Sequence, residues 1–273
     1  MTAWRDAPGI ALSLAALLDQ RAGAAAGPRP MARRAGVLPA RRPGSGMDLR
    51  EIRSWVPGDD PRRLDPSATA RTGIPHVRAL NEDREDVTLL IADLRRPMLW
   101  GTGAALRSVR GALHLAALGW QAVARQGAVG MILAEDGGAR LTPPATGEAA
   151  MRGLCALLAD RHAAALAGPA AAAPPLTEAL SLALRAAPSG AHVILATAPD
   201  GWSGAEAPLA RLARGRRLEV ALILDPLEVA PPSRPLPVRR DGVARVLRLE
   251  PADLGAVTDG LAALGAVARQ VAP

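Results

Sequence analysis

An open, doubly wound α/β sheet with mostly parallel strands is the fold class this sequence predicts, and three observations predict it. Short apolar runs recur between residues 87 and 224 without polar alternation, as strands buried on both faces require. Stretches of helical length lie between them, and strand–helix alternation implies right-handed crossovers in a Rossmann-like sheet. The chain has 273 residues, 49% hydrophobic and 22% charged, enough for one large α/β domain, alone or with an extension.

The elements follow in order. Residues 1–85 are rich in Pro, Gly and Arg and have few long apolar runs, so they predict an irregular or hairpin-like N-terminal extension. Within it the apolar run 9–18 imitates a secretion signal. However, Asp6 offsets Arg5, the run stops at Asp19, and it is too short to span a bilayer, so a short amphipathic helix is expected. Residues 86–273 form the α/β domain. Strands are predicted at 87–92, 128–134, 191–197, 218–224 and 243–249. Helices are predicted at about 104–126, 147–166, 177–187 and 205–214, with a last helix over 253–271. The stretch 165–175 reads as a low-complexity linker. The prolines of 226–240 remove backbone donors and exclude a helix or a central strand there.

Composition narrows the function. Phe and Tyr are absent, so Leu, Ala, Val and five Trp fill the core. Every basic residue is Arg, which is always charged and suited to bidentate carboxylate contacts. The net charge is +7, and residues 28–78 hold 11 Arg against 5 acids, a basic segment suited to an acidic protein surface, nucleic acid or anionic lipid. Cys155 is alone, which excludes an intrachain disulfide and fits a buried thiol in a reducing cytoplasm. Neither GxGxxG nor GxxxxGK[ST] occurs, so nucleotide binding has no support. His76, His114, His162 and His192 form no ligand motif, and no serine sits in G-x-S-x-G.

The stretch "GSGMDLREIRSWVPGDDPRRLDPSATAR" carries paired aspartates, Asp59 and Asp60, that invite a metal or acid–base reading. Adjacent residues rarely aim at one centre. Pro57-Gly58 suits a type II turn, with capping by Asp59 or Asp60 and pairing to Arg53, Arg62, Arg63 or Arg71, so a charge-latched turn is expected. In order and spacing, Arg53, Trp55, Pro57, Gly58, Asp59, Asp60, Arg62, Leu64, Asp65, Thr69, Ala70 and Arg71 resemble the signature of the domain-of-unknown-function-58 family. Pro66 departs from it, standing where the family usually has Trp.

That resemblance implies a von Willebrand A-like core and a role as a non-enzymatic adaptor for a MoxR-type AAA+ ATPase or its client. Such cores usually hold a hard metal ion through an aspartate–x–serine–x–serine run, a later threonine and a later aspartate. Here the run begins at Asp93, but Arg95 and Pro97 replace the serines. Arg cannot donate a lone pair, and Pro has no side-chain oxygen. Loss of the metal is therefore expected, with no other cofactor. Thr177 and, less well placed, Asp200 stand near the later positions. Asp93, Arg95, Arg96 and Thr177 are the candidates for partner binding. Two readings of Arg95 follow: it or Arg96 binds a partner carboxylate in the metal's stead, or Arg95 pairs with Asp93 and nearby acids. The rival function is a basic module for nucleic acid or an anionic membrane surface. Against it, Trp55 is the only aromatic residue of the Arg-rich segment.

Overall fold

The structure is a computed structural model that describes residues 7–25, 49–80, 86–169, 173–240 and 243–273. The arginines between 29 and 48, and residues 170–172 of the linker, lie outside the described residues. In chain order the elements are α1 (Leu14–Ala25), β1 (Leu49–Ser54), α2 (Pro66–Thr72), β2 (His76–Leu80), β3 (Val87–Asp93), α3 (Arg107–Ala124), β4 (Ala128–Glu135), β5 (Gly138–Thr146), α4 (Glu148–Ala167) and α5 (Thr177–Ala186). They continue with β6 (His192–Thr197), α6 (Glu206–Ala213), β7 (Arg217–Ile223), α7 (Pro226–Val229), β8 (Leu236–Arg240), β9 (Val243–Leu247), α8 (Leu254–Ala263) and β10 (Val267–Val271). Two compact units result: Pro28–Glu85, and Met1–Gly27 together with Asp86–Pro273.

The larger unit is a mixed α/β body around one sheet of order β10-β7-β6-β3-β4-β5. Its strands are parallel except β5, which runs antiparallel to β4. The apolar runs lacking alternation became strands covered on both sides. Leu90 and Ala92 of β3 face a core shared with α1, α3 and α4, whereas Leu89 and Ile91 face one shared with α5, α6 and α8. Aliphatic side chains dominate both cores, and Trp120 is the largest fully buried side chain.

Four expectations need correction. Residues 7–25 do not belong to an extension. Leu12 and Leu17 are buried in the core under α3, and Trp120 Nε1 donates to the Leu17 carbonyl at 3.1 Å. β5 escaped the sequence reading because Pro143 and Pro144 break its pattern. At the sheet edge they are tolerated, and the register slips opposite them between Val129 and Met131. The last helix is shorter than expected: it ends at Ala263 with Leu264 as its cap, Gly265 turns the chain at φ +82°, and β10 follows. Finally, β9 does not join the main sheet but pairs antiparallel with β8, inside the Pro-rich stretch, where Pro226 also starts the single turn α7.

β10 is held to its neighbours by charge as well as by its ladder. Arg269 Nε lies 2.6 Å from Glu219 Oε1 on β7, and His192 Nε2 of β6 lies 3.5 Å from Oε2. The hydrogen bond from His192, joined by Arg269, outweighs burial and holds the Glu219 carboxyl down at about 2.

Two outcomes are expected. Leu17→Ala lowers the urea-unfolding free energy by about 2–5 kcal/mol, as for a core leucine, and no change would mean that α1 is not part of the core. Glu219 is ionised more readily folded than unfolded, so its contribution is complete above its ordinary pKa and is lost as pH falls from there toward 2. Glu219→Gln should flatten the stability–pH curve in that acid window, as read by thermal melts.

Candidate functional site

The order of the sheet creates a crevice between β3 and β6. From β3 the chain crosses to β4 on one side, then returns to β6 on the other, which makes this the switch point where ligands of open α/β sheets bind. Asp93 ends β3 and Thr197 ends β6, so both side chains reach the crevice floor, at 2% and 0% exposure.

The crevice is filled by Arg95. Asp93 Oδ1 accepts from the Arg95 main-chain N–H at 3.0 Å and from its Nε at 2.8 Å. Asp93 Oδ2 accepts from Arg95 Nη2 at 2.7 Å and from the Thr197 hydroxyl at 2.6 Å. The remaining guanidinium contacts reach carbonyls of two distant loops: Nη1 donates to Pro174 at 2.5 Å and Nη2 to Gly201 at 2.7 Å. Four of the five guanidinium N–H groups are thus used inside the protein, and the Arg95 side chain is 5% exposed. Of the two readings of Arg95, the structure places it in the internal pair, turned away from solvent. Gly201 is part of the design, because a Cβ there would lie 2.1 Å from the Thr197 hydroxyl.

The other sequence candidates fall nearby or elsewhere. Arg96 lies on the rim. Its N–H donates to Asp136 Oδ1 at 3.0 Å, its Nε sits 3.7 Å from Asp136 Oδ2, and its guanidinium donates to the carbonyls of Gly168 and Pro169. Thr177 is exposed at the start of α5 and makes no hydrogen bond to Asp93; Thr197 makes that bond instead. Asp200 is exposed. Thr197 and Gly201 went unnoticed in the sequence. The one available signal was a polar threonine closing the apolar run of β6.

A second network continues along the same sheet edge. Asp225, just beyond β7 and fully buried, accepts from the Thr102 N–H at 2.8 Å, from the Thr102 hydroxyl and from the Leu227 N–H at 3.1 Å. Burial works to raise its pKa, but these hydrogen bonds and the Arg107 charge prevail and hold it below the usual range. Arg107 is buried, pairs with Glu228, and stacks with its guanidinium carbon 4.2 Å from the Trp100 ring centre. Trp100 itself remains 39% exposed on the loop that follows β3.

In the smaller unit, the signature residues build a turn. The Asp59 N–H donates to the Val56 carbonyl at 3.0 Å across Pro57-Gly58, with Gly58 at φ +106° as a type II turn needs. Arg53 grips Asp59 through both terminal nitrogens, at 2.8 and 2.6 Å, and the Val56 N–H adds a third bond at 2.9 Å. The Arg53 bond, then the Val56 amide, depress the Asp59 carboxyl. Asp60 turns elsewhere and caps the 3-10 turn Pro61–Arg63 through the Arg62 N–H. The two carboxylates therefore serve separate partners. Asp65 caps α2 through the Ala68 N–H and pairs with Arg78 Nε at 2.7 Å. Thr69 Oγ1 accepts from the His76 N–H at 3.0 Å, and the Trp55 N–H donates to the Pro75 carbonyl. Pro66 takes the first position of α2, where a missing N–H costs nothing, so the departure from the family pattern is accommodated. Arg62 and Arg71 are exposed.

Cys155 and His162 are sealed from solvent. Burial pushes the Cys155 thiol up to about 11, so it is unreactive at neutral pH. Ser108 Oγ lies 2.9 Å from His162 Nε2, a pair absent from the sequence reading, but both are 1% exposed and burial drives His162 down to about 4. No group of three His, Cys, Asp or Glu suited to a metal occurs among the described residues. Among those residues, too, no helix is long and apolar enough to cross a membrane.

The family described as "Protein of unknown function DUF58" matches residues 51–234. Uncharacterized proteins of Mycobacterium tuberculosis and Mycobacterium bovis are 47% identical over 60 residues, which is 22% of this chain and 19% of each relative's length. Two solved structures are similar. An aerotolerance-related membrane protein from Bacteroides fragilis has a TM-score of 0.45 and 17% identity, covering 68% of this chain and 90% of that one. BatB from Bacteroides thetaiotaomicron, a conserved hypothetical protein, has a TM-score of 0.42 and 16% identity with the same coverages.

Removing the guanidinium alone strands a buried carboxylate. Arg95→Met should destabilise the protein by about 3–5 kcal/mol in urea titrations. Adding Asp93→Asn should recover part of that loss, and strictly additive losses would show that the two side chains are not coupled.

Proposed function

This chain belongs to the DUF58 family, and we propose that it is a non-enzymatic protein-interaction adaptor, built on a von Willebrand A-like core, that docks its partner without a bound metal. The observation that carries the reading is the Arg95 guanidinium in the switch-point crevice. A metal site there would need both Asp93 oxygens and further oxygen ligands. Instead, Arg95 and Thr197 occupy both oxygens, Arg95 adds a positive charge, and Pro97 has no side-chain oxygen to offer. The residues present do not fit a divalent cation.

With Arg95 committed internally, docking falls to the rim. Trp100 supports this role: it is a large aromatic left 39% exposed, pinned from beneath by Arg107, on a loop tied down through Thr102 and Asp225. A preorganised aromatic of this kind is the usual centre of a binding hot spot. The partner class we assign is the MoxR-type AAA+ ATPase or its client, acting in the cytoplasm; this rests on the family resemblance. A reading as a basic nucleic-acid or membrane-surface module is weaker, because Arg53 and Arg78 of the basic segment are paired with Asp59 and Asp65.

Two measurements test the proposal. Titration calorimetry with Mg2+ should give no binding heat for the wild type, and tight binding would overturn the metal-free reading. Purified MoxR-type ATPase should be retained by the immobilised wild type and about tenfold less by Trp100→Ala, with the fold checked by circular dichroism. Equal retention would remove Trp100 and the rim from the interface.

A further inference from the structure

The β8–β9 ribbon lies beyond the family match, which ends at residue 234, and the adaptor reading does not use it. Its two strands pair from Leu236↔Leu247 to Arg240↔Val243. A lone two-stranded ribbon is marginal in water, and a third strand or a packing partner is the normal remedy. Every residue of β9 is nevertheless exposed, and three are aliphatic: Val243 at 56%, Val246 at 70% and Leu247 at 43%. Val243 and Leu247 lie on one face of the strand and Val246 on the other, so exposed aliphatics flank the β9 edge on both sides, as at an interaction surface.

Two features define what fits it. The first is charge. Residues 233–249 contain five Arg against one Asp, a net of +4. Arg239, Arg245 and Arg248 are exposed, and among the described residues no carboxylate pairs with them. The second is the asymmetry of the two ribbon edges. β8 contains Pro237 and follows Pro235, and such prolines blunt an edge because they lack a donor. β9 has no proline, so alternate residues direct unpaired N–H and C=O groups outward in the pattern that accepts another strand.

We propose that the outer edge of β9 docks an extended acidic peptide segment of a partner protein, which adds as a third strand to the ribbon. Its main-chain groups complete the β9 ladder, its carboxylates meet Arg245 and Arg248, and its apolar side chains cover Val243, Val246 and Leu247. A second copy of this chain does not fit, since pairing β9 with β9 would bring the two sets of arginines together. A nucleic-acid strand lacks its stacking platform, because residues 233–249 contain no aromatic. An anionic membrane would meet the charge but leave the open main-chain edge without a role.

The probe is the fluorescent peptide Glu-Val-Val-Glu-Thr-Val, which set antiparallel to β9 places its glutamates opposite Arg248 and Arg245 and its valines opposite Leu247, Val246 and Val243, titrated against the whole chain by anisotropy. The acidic peptide should bind, whereas its lysine counterpart and a version N-methylated at alternate residues should not. Arg245→Glu with Arg248→Glu, both on exposed side chains, should weaken binding of the acidic peptide by at least about tenfold and admit the lysine peptide. Equal binding of the methylated peptide would overturn strand addition. Equal binding of the lysine peptide, or displacement of the probe by phosphatidylserine vesicles or duplex DNA, would overturn the acidic-peptide assignment. The readout is confined to the ribbon, so it stands or falls apart from the Trp100 and Mg2+ tests.

Discussion

The ion pair between Asp93 and Arg95 is the constraint around which the large unit is arranged. Both members are nearly sealed from water, so burying either without the other would leave a charge uncompensated. Placing them requires β3 to end beside β6, so that Thr197 supplies the fourth bond to the carboxylate. The spare guanidinium donors then draw in Pro174, ahead of α5, and Gly201, ahead of α6. Two loops that are far apart in the chain are thereby joined to one cation. An apolar pair of similar volume would cost less to bury, but it would leave those carbonyls without a common donor.

Much of this architecture was legible in the sequence, and the failures have physical causes. The inner strands announced themselves because burial on both faces leaves an unbroken apolar run. The edges did not. β5 is held at the sheet margin despite two prolines, and β10 sets Arg269 and Gln270 side by side without strand-like alternation, so it also reads as the tail of a helix. Gly265 was the missed cue, a helix-ending glycine between α8 and the strand. α1 was expected as a short helix but placed in the extension, because an Ala-rich pattern gives no hint that Leu17 will sit beneath Trp120.

The candidate site shows the same division. Asp93 and Arg95 are two residues apart at the end of the first strand, and the family resemblance pointed to both. Thr197 and Gly201 join them only through the strand order, which no local pattern encodes, and Thr177 was chosen for lying ahead of a helix when the needed hydroxyl closes a strand. The signature turn was legible as a charge-latched turn because its partners are close in sequence, but which arginine closes it, Arg53 on Asp59, was not. What sequence could not distribute was the labour of the two adjacent aspartates, one gripped by Arg53 and the other closing a 3-10 turn.

A cation carried on a side chain differs from a bound ion in one lasting respect. It has no dissociation constant: the chain delivers it at a fixed effective concentration for as long as the fold persists. Chelators cannot strip it, competing ions cannot exchange with it, and no gradient of divalent cation between compartments can register at the crevice. The Asp93 centre is therefore a permanent fixture rather than a sensor, and any regulation of this protein has to enter through another surface.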